Sequence, residues 1–143
     1  MNLQIRTVHV PDLTTVVAAL AFRLCDVDWH LADIDALPHR DGLKGGWVTG
    51  MDLEAELECE AIQFKWGVFD AVPRGFRSPV AVEPWADGNA GLWDEGVGPQ
   101  MAEALFEIVF WDSTSVMLFG ITPEQAASVA ATFGVENVFT RFV

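Results

Sequence analysis

The chain has 143 residues, 51% of them hydrophobic, and a formal net charge of −13 from 21 Asp and Glu against eight Lys and Arg. That length predicts one domain, residues 1–143, with enough apolar material for a core that needs no metal or disulfide staple. The charge disfavours nucleic acid and anionic membranes and favours a basic protein partner, and no apolar run reaches the ~18 residues of a membrane helix.

The start "MNLQIRTVHV" has no basic region followed by an apolar one, which leads to the expectation of a cytoplasmic protein. Leu3, Ile5 and Thr7 alternate with Gln4 and Arg6, predicting a strand over residues 3–9. Pro11 and Asp12 end it. Asp12 is placed to cap a helix through "LTTVVAALAFRLC", whose apolar stripe is Val16, Val17, Leu20 and Leu24. Next comes "CDVDWHLADID", residues 25–35. A strand there sets Asp26, Asp28 and His30 against Val27, Trp29 and Leu31, whereas a helix would align Leu24, Val27, Leu31 and Ile34. Asp and Val are mediocre helix formers, so the strand is favoured.

"PHRDGLKGGWVTG" reads as a loop. In "MDLEAELECE" strict alternation would place Asp52, Glu54, Glu56, Glu58 and Glu60 on one strand face. The following "IQFKWGVF" has its apolar residues in the opposite phase, so one continuous strand would need a bulge at 60–61. A helix capped by Thr49, then a new strand, accounts for both. Residues 71–99 are rich in Pro and Gly, with Phe76, Trp85 and Trp93 among them. They predict a long loop that packs on the sheet and carries some function.

"ALFEIVFW" and "VMLFGI" are apolar on both faces, which predicts two central strands joined by "DSTS". Thr122, Pro123 and Gln125 open a helix that runs to Phe133, and Gly134 stops it. "VENVFTRFV" returns as a final strand. The order β-α-β-α-β-loop-β-β-α-β predicts an α+β domain: a mostly antiparallel sheet of about six strands, with two to three helices packed on it.

No catalytic motif stands out: nucleophile elbow, phosphate-binding loop and Cys-His spacing are all missing. Cys25 and Cys59, too few for a disulfide framework, are expected as buried reduced thiols. Asp112 follows an apolar strand, where it is either a half-buried acid or, as Asp-Ser-Thr-Ser suggests, a turn residue. Asp26, Asp28 and His30 on one strand face could ligate a metal, but the calcium-loop pattern is absent and Cys25 and His30 point to opposite faces. Neither metal nor cofactor is expected. What remains is two acidic clusters, around 26–35 and 52–60. Together with an aromatic anchor such as Trp29, if exposed, they suit a protein interface. The candidate partner-binding residues are Asp26, Asp28, Trp29, His30, Asp33 and Asp35, then Glu54, Glu56 and Glu58.

At "LEAELECEAIQFKWGVFDAVP" and "FEIVFWDSTSVMLFGITPEQAASVAATFG" the chain resembles small bacterial domains of unknown function. Those share a helix, an aromatic strand ending near Ala-x-Pro, and an apolar strand closing on Asp-Ser before a second strand. Ala71 and Pro73, and Asp112 and Ser113, stand in those places, and the resemblance takes in about half the chain. Such domains are similar in size and layout to immunity proteins of bacterial toxin systems, and this implies no catalytic residues.

These readings lead to the expectation of a non-enzymatic acidic protein, monomer or homodimer. It would neutralise a basic toxin, such as a nuclease, by occluding its active or substrate-binding surface. The alternatives are an acidic dimeric secretion chaperone and an enzyme with a carboxylate pair under the 71–99 loop.

Overall fold

The computed structural model describes residues 1–141. Among these, seven strands are β1 (Asn2–Ile5), β2 (Asp28–Leu37), β3 (Gly46–Val48), β4 (Gln63–Val72), β5 (Phe106–Trp111), β6 (Ser115–Phe119) and β7 (Val138–Arg141). Three helices are α1 (Leu13–Ala19), α2 (Gly50–Cys59) and α3 (Pro123–Phe133). The strands form one sheet in the order β3-β2-β4-β5-β6-β1-β7, with every neighbouring pair antiparallel. The α+β layout read from the sequence is the observed one.

Capping chemistry starts each helix where the sequence places it. Asp12 accepts a hydrogen bond from the Thr15 amide at 2.7 Å, and Thr49 one from the Asp52 amide at 3.1 Å. Thr122 and Gln125 close a reciprocal capping box at 3.1 and 2.9 Å. Gly134, at φ +88°, ends α3.

The first helix is shorter than predicted. It stops at Ala19, Ala21 turns through φ +63°, and Leu24–Asp26 form a separate 3-10 turn. The break lets both Leu20 and Leu24 reach the core and brings Phe22 to 5.3 Å from Phe106. Strand β3 went unpredicted, because three residues are too few for a period-2 pattern to register. Cys59 is exposed rather than buried, since α2 turns it outward. Asp112 is exposed at φ +49°, next to Ser113 at +53°, and so belongs to the hairpin turn.

Both faces of the sheet are covered, by different means. One face carries Leu3, Ile5, Trp29, Leu31, Phe69, Phe106, Ile108, Phe110 and Leu118, which pack against Val16, Val17 and Leu20 of α1 and its end, Leu53 of α2 and Val129 of α3. Trp29 is fully buried there, edge-on to Phe106 at 5.9 Å, with its indole N–H donating to the Leu24 carbonyl at 3.0 Å. The opposite face carries Ala32, Val68, Val109, Met117 and Phe119. Its cover is the segment 73–105, an irregular strap with a single 3-10 turn at Ala90–Trp93, which lays Ala86, Leu92 and Val97 onto the sheet.

Gly50, the first residue of α2, lies against the preceding turn: a Cβ there would fall on the carbonyl oxygens of Val27 and Leu24. Gly50→Ala should therefore lose stability despite a helix-propensity gain of up to ~1 kcal/mol. The expected loss is about 2 kcal/mol, read as a lower urea midpoint at unchanged m value; a stabilised variant would mean that α2 is not seated this closely.

Candidate functional site

Residues in register across a sheet share a face and form a row. On the strap-covered face one such row reads Trp47, His30, Asp70, Glu107 and Phe119, from β3 to β6. Its middle is polar and sealed. Asp70 and Glu107 expose none of their surface, and His30 exposes 2%.

Two ionised carboxylates facing each other in a dry interior repel strongly, so the pair keeps a proton. The hydrogen bonds say which one carries it. Glu107 accepts from the Gln100 amide at 2.9 Å and from its side-chain nitrogen at 3.5 Å. Neither oxygen of Asp70 meets a protein donor, so only as an acid donating to Glu107 does Asp70 gain a partner. Burial, with the Glu107 charge beside it, pushes Asp70 up to about 10. Burial also raises Glu107, against the opposing pull of the bonds from Asp70 and Gln100.

His30 sits across from Asp70. Burial lowers its pKa, and Glu83, whose Oε1 is 3.4 Å from Nε2, opposes this. The ring stands edge-on to Trp47 at 5.0 Å, and Nδ1 has no hydrogen-bond partner. Among the described residues no group of three His, Cys, Asp or Glu has an arrangement able to hold a metal ion.

The other polar groups of this face pin the strap. Asp28 accepts from the Gly75 amide at 2.9 Å, from the Gly50 amide at 3.1 Å and from Arg77 at 3.1 Å. One carboxylate thus ties β2 to both the strap and the start of α2. Burial alone would raise the pKa of Asp28, but these bonds outweigh it and hold it low. Asp33, at φ +52° in a β2 bulge, accepts from the Ala86 and Asp87 amides, each at 2.8 Å. Gln100 joins the strap's limbs, accepting from the Trp85 amide at 3.0 Å and donating to the Trp85 carbonyl at 3.1 Å. Asn2 of β1 holds the Val97 carbonyl at 2.5 Å.

The residues singled out as partner-binding separate accordingly. Trp29 belongs to the core, and Asp28 and His30 lie under the strap, so none of the three offers a surface: the alternation that pairs Asp28 with His30 is real, but the face they share is covered. Asp33 is exposed, with its carboxylate committed to the strap. Asp26, Asp35 and Glu58 are exposed. Glu54 and Glu56 are half-buried and paired with Arg23 at 2.9 Å and Arg40 at 2.8 Å.

The two acidic segments do meet. The Leu24–Asp26 turn lies against α2, with the Cys25 amide donating to Glu54 at 3.3 Å. Between them opens a groove of about 320 Å³, bordered by Arg23, Cys25, Met51, Glu54, Glu58 and Arg74. Met51 is 73% exposed at its edge.

Sequence reasoning missed Asp70, Glu107 and Gln100. A signal for the two acids existed: each sits alone within an apolar strand, in "GVFDAV" and "LFEIVF", at a position whose face should be buried. No protein-family model, curated protein or solved structure matches the chain.

Asp28→Ala should cost about 2 kcal/mol at pH 7, since it leaves two amides and a guanidinium without their acceptor. The native carboxyl is held below its ordinary 3.8, so its contribution is present above that value and lost as pH falls through the folded one. The gap between wild type and variant in urea titrations should then narrow progressively as pH falls below 3.8.

Asp70→Asn should behave in the opposite way. A carboxyl raised from 3.8 to about 10 contributes stability below 3.8 and loses it as pH climbs. Wild type should become progressively less stable above about pH 4 relative to Asp70→Asn, with the variant ahead by more than about 1 kcal/mol at pH 8. Parallel pH profiles would remove the proton from Asp70.

Proposed function

We propose that the chain is a non-enzymatic acidic binding protein, an inhibitor or immunity protein in kind, that docks on the basic surface of a toxin and occludes it. The observation that carries this reading is the meeting of the two acidic segments around the groove between α2 and the Leu24–Asp26 turn. Exposed Asp26, Asp52 and Glu58 stand on those two elements, with Met51 as an apolar anchor at the groove's edge. Such charges speed association with a cationic surface, and a small apolar contact inside a charged rim slows release. Asp35, in register with Trp66 on the strap-covered face of the sheet, lies apart from this surface.

A second reading is an enzyme acting through a buried carboxyl pair, and Asp70 with Glu107 is the observation that favours it. General acid–base work needs contact with substrate, and both groups have no exposed surface while the strap is closed. The binding reading is therefore preferred.

Capture of partners from the native lysate at low and high salt, with the tagged protein as bait, tests the proposal. A basic partner should be retained at low salt and lost at high salt. Affinity for it should fall at least about tenfold in Asp26→Lys with Glu58→Lys, with a flatter salt dependence. The control Asp94→Lys with Glu95→Lys, on the strap, should bind as wild type does. Equal affinity in wild type and the Asp26/Glu58 variant would take this surface out of the interface.

A further inference from the structure

Besides the bonds of Asp33 to the Ala86 and Asp87 amides and of Asn2 to the Val97 carbonyl, two sets of contacts on buried carboxylates hold the strap to the sheet. Its outgoing limb is tied at Gly75 and Arg77 by Asp28, an ionised carboxylate already supplied with donors. Its return limb is tied at Gln100, whose amide and side chain both bond Glu107, and Gln100 in turn holds Trp85 and Asn89. The second set therefore hangs on one half of the Asp70–Glu107 pair.

We propose that the strap is a lid whose return limb is latched by the proton shared between Asp70 and Glu107, and that loss of this proton lifts that limb from the sheet. The step balances simply: the Asp70 O–H bond breaks, the proton passes to hydroxide to give water, and two facing carboxylates remain. Each then requires hydration. Beneath them lie the β-ladder and the helix-side core, so water can reach them only from the strap side. Lifting the limb around Gln100 admits that water and relieves the repulsion.

The surroundings offer the pair no compensating charge. From β2 the facing group is His30, backed by Glu83 of the strap; farther along β2 lies Asp28, bonded to Arg77. From β6 it is Phe119, and from the strap the uncharged Gln100. Among the described residues no Lys or Arg is ion-paired with Asp70 or Glu107.

Hydrogen exchange, corrected for the intrinsic rate, tests the latch on the whole chain between pH 7 and pH 11. Protection of the Trp85 and Gln100 amides should fall at least tenfold as pH rises, while the Ala86 and Asp87 amides held by Asp33, the Gly75 amide and the α3 amides hold. In Asp70→Asn, whose amide donates to Glu107 at every pH, protection of the Trp85 and Gln100 amides should persist. The chain has no tyrosine, and two of its six tryptophans, Trp85 and Trp93, lie on the strap, so a change in tryptophan fluorescence can accompany the same opening. A uniform loss across the molecule, or the same loss in Asp70→Asn, would overturn the proposal. Should the variant not fold, infrared spectra of wild type decide. A protonated-carboxyl stretch present at pH 8 that vanishes together with strap protection supports the latch. Its absence at pH 8, or its persistence after the limb has opened, refutes it.

Discussion

The constraint on which this structure rests is that its central strands are apolar on both faces, and the chain has helices for only one of them. β4, β5 and β6 would leave Val68, Val109, Met117 and Phe119 in water unless the second face were covered. The cover is a strap without a β-ladder of its own, and such a segment stays down only where the sheet offers it polar handles. Asp28, Asp33, Glu107 and Asn2 are those handles, each a side chain bonded to a strap amide or carbonyl. Their placement explains why a strongly acidic protein hides some of its acids.

Burying handles of one sign has a cost. Asp28 meets it with three donors and so stays ionised. Asp70 and Glu107 have donors enough for one charge, and the second carboxyl remains an acid. The difference lies in where backbone amides point: Gly75 of the strap and Gly50 of α2 reach Asp28, while the strap amide of Gln100 is spent on Glu107. Two carboxylates on one sheet face thus end on opposite sides of the ordinary carboxylate range, for reasons visible in their hydrogen bonds.

The remaining acids are free for the outside. Asp26, Asp52 and Glu58 stand at the junction of α2 and the Leu24–Asp26 turn, where Arg23 pairs with Glu54 and Arg40 with Glu56 and Glu60. This division between acids spent on the strap and acids left at the groove keeps the proposed binding surface and the proposed latch structurally separate. Either one can fail without the other.

Much of the fold was legible in the chain because its signals are local. Asp12, Thr49 and Thr122 mark helix starts through bonds spanning three residues, and Leu3/Ile5 and Phe106/Ile108/Phe110 show their faces by alternation alone. The opposed phases of "MDLEAELECE" and "IQFKWGVF" were enough to separate α2 from β4. What tertiary structure decided was which faces meet. Alternation put Asp28 and His30 together and Trp29 opposite them, but only the strap's path determined that the acidic face would be covered and Trp29's face would be core. The pairing of His30 with Asp70, and of Asp70 with Glu107, joins residues 40 and 37 positions apart through strand register, which no local pattern encodes. Local bonding is written in neighbouring residues; the encounter of distant ones is set by how the whole sheet closes its two faces.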